Sequence, residues 1–208
     1  MRTLYRTYDK SLVAALPRAI YDGRIEVVQS EGAALRAVDF LMRQPILGFD
    51  TETRPTFRRG PMHPVALLQV STDDLCFLFR LNMIGLPDCL VGLLSDTRLL
   101  KVGLSLHDDF HRLSQRRPFV PGTFVDVQDV APSLGLADQG LRRLYANVFG
   151  QKISKGQQLS NWEADVLSDG QKLYAATDAW ACIQLYREFQ RIQDEGFELI
   201  QITQEETA

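Results

Sequence analysis

Ile46-Leu47-Gly48-Phe49-Asp50-Thr51-Glu52 is the stretch on which the fold turns, a short apolar run that ends in two carboxylates two positions apart. Pro45 closes off any helix before it, and the run of Ile, Leu and Phe reads as a strand buried along most of its length. Side chains two apart on a strand share a face, so Asp50 and Glu52 project together, about 7 Å apart or less. Two like charges on one spot repel unless a cation lies between them, which makes this pattern suggestive of a hard-metal site. A solvated strand end running into a loop is the plain alternative, and this segment alone leaves it open.

Working outward, Ile25 to Val28 reads as a strand and Ser30 as the cap of a helix running to about Leu41. On the other side, the stretch from Arg54 to Pro64 carries three prolines, a glycine and three arginines, and reads as a loop. Val65 to Val70 and Leu75 to Leu81 follow as strands joined by the turn-prone Ser71-Thr72-Asp73-Asp74, which gives a meander. Pro87 opens a short helix to about Leu94, and Leu99 to Leu104 is a strand leading into a helix that ends near Gln115. Phe124-Val125-Asp126 is another short strand, followed by helices near Gln139 to Phe149 and Asp169 to about Asp194. The fold class is therefore α/β, a mixed central sheet of antiparallel meander plus parallel strands flanked by helices. Residues 24–194 form the working domain, residues 1–23 an irregular lead-in, and residues 195–208 a polar tail that frays.

A chain of 208 residues, 45% apolar and 24% charged, suits one globular domain and excludes disorder and collagen-like repeats. No apolar run approaches the roughly 20 residues of a membrane helix, and Met1 to Lys10 lack the apolar core of a signal peptide, so a cytoplasmic location and no membrane contact are expected. Cys76, Cys89 and Cys182 are scattered and form no C-x-x-C pair, and they read as buried small hydrophobes. The formal charge of −3 lacks the basic excess of many nucleic-acid binders, but an acidic surplus gathered in a metal site would be offset by bound cations.

Two more segments carry carboxylates. In the helix after Leu104, Leu106, Phe110 and Leu113 form an inner stripe, with Asp109 on its flank while Asp108 lines up with Arg112 as a surface pair. Asp109 is thus the one aimed toward a site, unless both merely favour the helix N-terminal dipole. His107 and His111 have zinc-ligand spacing but no third ligand nearby, and they read as ordinary helix residues. In Gln171-Lys172-Leu173-Tyr174-Ala175-Ala176-Thr177-Asp178-Ala179-Trp180-Ala181, Tyr174 and Asp178 stand on one helix face among small residues that imply tight packing. A half-buried carboxylate there needs a partner, which a metal shared with Asp50 and Glu52 supplies. A simple Tyr–Asp pair at a helix–loop contact is the alternative.

Taken in order, Asp50-Thr51-Glu52, Val65-Ala66-Leu67-Leu68-Gln69, Lys101-Val102-Gly103 leading to Asp109, Ser160-Asn161-Trp162 and Tyr174-Ala175-Ala176-Thr177-Asp178-Ala179 resemble the DEDD 3′→5′ exonucleases. The resemblance is nearest to the Werner-syndrome helicase exonuclease domain and ribonuclease D, and it spans about residues 24 to 190. It implies an RNase H-like fold in which Asp50, Glu52, Asp109 and Asp178 hold two divalent cations, Mg²⁺ or Mn²⁺. It also implies the tyrosine subclass, with Tyr174 positioning the attacking water, since His63, His107 and His111 all lie far from the last motif. Thr53 departs from the aromatic residue that helicase-linked relatives often carry there. Because the chain ends soon after its last motif, neither a helicase segment nor an HRDC-type domain is expected.

The implied reaction removes nucleoside 5′-monophosphates from the 3′ end of DNA or RNA, single-stranded or at a recessed end. One cation on Asp50, Glu52 and Asp178 activates water, and the other, on Asp50 and through water on Asp109, stabilises the leaving oxygen. The substrate partner is nucleic acid, and no obligate protein partner is evident. Thr51, Arg54, Arg58 and Arg59 are the candidate substrate contacts, the arginines for phosphates, with a solvated loop as the equal alternative. Two rivals remain: a non-catalytic nucleic-acid-binding module of the same fold, and a structural metal-binding or protein-interaction domain. The first would be expected to have lost a carboxylate, and the second has no use for a phenol beside Asp178.

Overall fold

The computed structural model describes residues 2–56 and 62–201. A six-stranded sheet contains β2 (Arg24–Val28), β3 (Ile46–Thr53), β4 (Val65–Ser71), β5 (Leu75–Arg80), β6 (Leu100–Gly103) and β7 (Phe124–Asp126), in the order β2-β5-β4-β3-β6-β7. The meander β3-β4-β5 is antiparallel, and β2, β6 and β7 add in parallel at its flanks. The fold is α/β and RNase H-like, as expected.

The lead-in and the tail differ from expectation. β1 (Arg2–Tyr5) pairs in parallel with β8 (Phe197–Ile200), making a separate two-stranded sheet out of segments read as irregular and fraying. Four-residue strands carry too little pattern to be heard alone, and each is stabilised by a partner at the far end of the chain. A short helix α1 (Lys10–Val13) follows β1, and Asn147 fixes the lead-in by bonding both the amide and the carbonyl of Tyr5.

The remaining helices are α2 (Glu31–Leu41), α3 (Leu81–Ile84), α4 (Asp88–Ser95), α5 (Leu106–Arg116), α6 (Val127–Val130) running into a 3-10 turn (Ala131–Leu134), α7 (Leu141–Phe149) and α8 (Asp169–Glu195). The Ser30 hydroxyl caps α2 as its sequence predicts, accepting from the Ala33 amide. Ser168 and Gln171 form a reciprocal capping box at the start of α8, and the Gln171 amide also binds the Ser160 hydroxyl and the Asn161 carbonyl. The Ser160-Asn161-Trp162 motif is thereby tied to the first turn of α8.

Strand alternation divides the core. Leu47 and Phe49 of β3 pack with Leu68, Val70, Phe77 and Phe79 against α2, α4 and α5, whereas Gly48, on the opposite face, meets α8. A Cβ at Gly48 would stand 2.0 Å from the Ala179 carbonyl, so glycine is what lets α8 lie flat on β3. Cys76 and Cys182 are buried free thiols, while Cys89 is only half-buried. No helix among the described residues is long and apolar enough to cross a membrane.

Candidate active site

β3 delivers Asp50 and Glu52 on the α8 side, and α8 meets them with Asp178 two turns into its length. Ligand atoms of Asp50, Glu52 and Asp178 lie within 4.8 Å of one another. Asp50 and Glu52 are half-buried, and Asp178 is only 7% exposed, with its Oδ1 lacking a hydrogen-bond partner. No basic side chain among the described residues forms an ion pair with any of the three. The electrostatic consequence is severe. Lost hydration, then the charges of Asp109 and Asp178, hold the Asp50 carboxyl well above the usual carboxylate range. The same burial, followed by Asp50, pushes Glu52 up to about 10. Asp178 is pushed up to about 7 by burial, with the Tyr174 hydroxyl and the charge of Arg142 pulling it back.

Asp109 reaches this cluster from α5. Its Oδ1 accepts from the Thr51 hydroxyl at 2.5 Å, and burial pushes its carboxyl up to about 7. The helix register that placed Asp109 inward holds, for Leu106 and Leu113 are buried while Asp108 has a side chain 77% exposed. The expected Asp108–Arg112 pair is absent: Asp108 contacts its neighbour His107 at 3.4 Å, and Arg112 acts on Asp109. His111 pairs with Gln115, so neither histidine joins the site. The start of α5 is set by Asp126, whose two carboxylate oxygens accept from the amides of Ser105 and Leu106. Ser105 itself adopts a left-handed φ of 61°, a conformation costing a serine about 1 kcal/mol or more, held by these bonds and by its hydroxyl on Gln128.

Tyr174 stands one turn before Asp178, its ring tilted against the buried Trp162 at 5.9 Å. Burial, then the charges of Asp178, Glu52 and Asp50, drive its phenol far above the ordinary tyrosine value. Tyr174 and Asp178 together line two cavities. One, of about 220 Å³, lies toward Ile20, Ile153 and Leu173; the other, of about 730 Å³, opens toward Arg142 and Lys155.

The substrate-contact expectations fare differently. Thr51 is committed to Asp109, and its amide bonds the Asp50 Oδ1. Arg54 is exposed and pairs with Glu163 at 3.2 Å, a carboxylate that His63 also approaches. Arg58 and Arg59 lie outside the described residues. Sequence reasoning missed two side chains here. Arg142, at the start of α7, donates through Nε to the Ile153 carbonyl and faces Tyr174 and Asp178, and its only signal was a pair of adjacent arginines. Gln69 lies opposite Asp50 in the β3–β4 register, fully buried with neither amide atom partnered.

Residues 25–194 match the family model described as 3′-5′ exonuclease. The exonuclease 3′-5′ domain-containing protein 2 of Drosophila melanogaster is 35% identical over 150 residues, 70% of this chain and 25% of that protein. The bifunctional 3′-5′ exonuclease/ATP-dependent helicase WRN of Mus musculus is 31% identical over 155 residues, 72% of this chain and 11% of that protein. The chain thus spans a quarter or less of these two relatives. Escherichia coli RNase D, an exoribonuclease involved in structured RNA processing, shares the fold with a TM-score of 0.72 and 20% identity, over 82% of this chain and 46% of that one.

Proposed function

The chain belongs to the 3′-5′ exonuclease family, and from that premise we propose that it removes nucleoside 5′-monophosphates one at a time from the 3′ end of DNA or RNA. Asp50, Glu52, Asp109 and Asp178 hold two divalent cations, Mg²⁺ or Mn²⁺, and Tyr174 orients the attacking water. The observation that carries this reading is the convergence of Asp50, Glu52 and Asp178 within 4.8 Å, with no cationic side chain paired to them among the described residues and an orphaned oxygen on Asp178. Oxygen donors of this kind, crowded and short of positive charge, fit a hard divalent ion. When bound, such ions supply Lewis-acid stabilisation of charge on the phosphate oxygens and make water easier to ionise.

The chain's own groups do the rest. Thr51 bridges the two motifs, its amide on Asp50 and its hydroxyl on Asp109, so the carboxylates from β3 and α5 are held in one relation. Burial, then the carboxylates of Asp178, Glu52 and Asp50, raises the Tyr174 phenol far above its ordinary value, so its hydroxyl orients water by hydrogen bonding and takes no proton from it. Trp162 packs against that ring and fixes its direction. Glu163, already paired with Arg54, keeps that arginine at the rim, where phosphate must displace the carboxylate to bind it.

The test is digestion of strands labelled at the 5′ end: single-stranded DNA, 3′-recessed duplex and RNA, with Mg²⁺, Mn²⁺, Ca²⁺ or EDTA. A ladder shortening by single nucleotides in Mg²⁺ or Mn²⁺, with little cleavage in Ca²⁺, is the expected result. Undiminished activity in excess EDTA sinks the metal assignment, and endonucleolytic fragments sink the 3′-end assignment.

A further inference from the structure

We propose that the 730 Å³ groove beside Tyr174 and Asp178 carries the sugar-phosphate backbone of the strand leading away from the reacting end, with the lead-in segment before residue 25 as one of its walls. The proposal rests on the exonuclease reading and extends it to a part of the chain outside the family match. Among the described residues, four cationic side chains line the groove, Lys10, Arg142, Arg143 and Lys155, and its only carboxylate is the catalytic Asp178. Arg143 is committed to the buried Asp138 at 2.9 Å. Lys10 and Lys155 have no ion pair or hydrogen bond from their ammonium groups among the described residues. Arg142 is anchored only through Nε, on the Ile153 carbonyl at 2.7 Å, which leaves its two terminal nitrogens to the groove.

Charge and extent decide the occupant. A free mononucleotide offers one phosphate, whereas three uncommitted cations spread along one groove match a run of phosphates. The order follows from position: Arg142 is near enough to Asp178 to feel its charge, so it takes the phosphate nearest the reacting one, and Lys155 and Lys10 take phosphates further along.

The wall is rigid enough for this role. Lys152 binds the Ala14 carbonyl through its ammonium group, its own amide donates to the Pro17 carbonyl at 2.8 Å, and the Ala19 amide donates back to the Lys152 carbonyl at 2.9 Å. The Tyr21 amide is held by the Thr177 hydroxyl of α8. Lys10 is therefore presented on a segment clamped to the body of the domain.

The experiment compares wild type with Lys10→Ala/Lys155→Ala, and with Arg24→Ala as a surface-charge control, since Arg24 pairs with Glu26 elsewhere on the protein. Binding of fluorescent single-stranded 3-mers and 12-mers is measured in Ca²⁺ across a salt series, with melting temperatures as the folding check. Each lost phosphate contact lowers the slope of log K against log salt by about 0.7 for a single strand, so the double variant should lose about 1.4 of slope and bind the 12-mer about tenfold more weakly. Binding of the 3-mer and cleavage of a dinucleotide should match wild type. An unchanged slope and Kd for the 12-mer in a folded double variant overturns the groove while leaving the exonuclease reading intact. The converse result, wild type that cleaves no strand while the double variant still loses the slope, overturns the exonuclease reading and leaves the groove as a strand-binding surface only.

Discussion

Lys101 and Arg80 lie as deep inside this protein as Asp178 does, yet their surroundings are of a different kind. The Lys101 ammonium donates to the Asp96 and Leu99 carbonyls at 2.8 and 2.9 Å and sits over the Phe124 ring. The Arg80 guanidinium is divided among the Asn82 side chain and the Asp165 and Ala164 carbonyls. Each buried cation is satisfied from within the fold. Among the described residues, Asp50, Glu52 and Asp178 have one another, a phenol and a backbone amide, with Arg142 acting on Asp178 without an ion pair. A charge satisfied by the chain is structural, whereas charges left unsatisfied together mark a place where something from outside must bind.

Substitution should separate the two regions sharply. Asp50→Asn is expected to lower kcat by at least about 10³-fold while leaving the melting temperature in EDTA unchanged or higher, because one of the mutually repelling carboxylates is gone. Lys101→Ala should do the reverse, costing about 1–3 kcal/mol as the buried Leu99 carbonyl loses the ammonium donor and the Asp96 carbonyl keeps only the Thr123 amide, with kcat within a few-fold of wild type. Single-turnover kinetics and thermal melts on both variants check this. An Asp50→Asn protein that unfolds, or one that still turns over, breaks the distinction.

Two adjacent carboxylates sharpen it at finer scale. Asp109→Asn should abolish most turnover, since Asp109 is held by Thr51 beside Asp50, whereas Asp108→Asn should stay within a few-fold because Asp108 faces solvent. Equal losses at both positions, in the same steady-state assay, contradict the helix register.

What could be read beforehand followed local periods. The two-residue period of β3 put Asp50 with Glu52, and the helical period put Tyr174 with Asp178 and Asp109 off the solvent face. These are rules that act within a few residues. Partnerships between distant segments were not legible. Nothing in Arg2–Tyr5 announces Phe197–Ile200 as its strand partner, and nothing near Asp109 indicates that the Thr51 hydroxyl would meet it. Asp126 shows both limits at once: its strand was found, but its role as the cap of α5 depends on β6 and β7 lying side by side.

Among the site residues, Tyr174→Phe carries the smallest expected effect, about 10²-fold in kcat with KM and melting temperature near wild type, since the ring and its packing on Trp162 remain. Full activity in this variant removes the phenol from water positioning.

Titration of Mn²⁺ into the metal-free protein, by calorimetry in buffers of different ionisation enthalpy at pH 6 and pH 8, tests the carboxylate site most directly. Asp109 and Asp178 are pushed up to about 7 and Glu52 to about 10, so at pH 6 these groups hold protons that an incoming ion must displace. Two ions should bind with proton release, and more tightly at pH 8 than at pH 6, because Asp109 and Asp178 have already lost their protons at the higher pH. Absence of saturable binding, or binding with neither proton release nor pH dependence, contradicts the account.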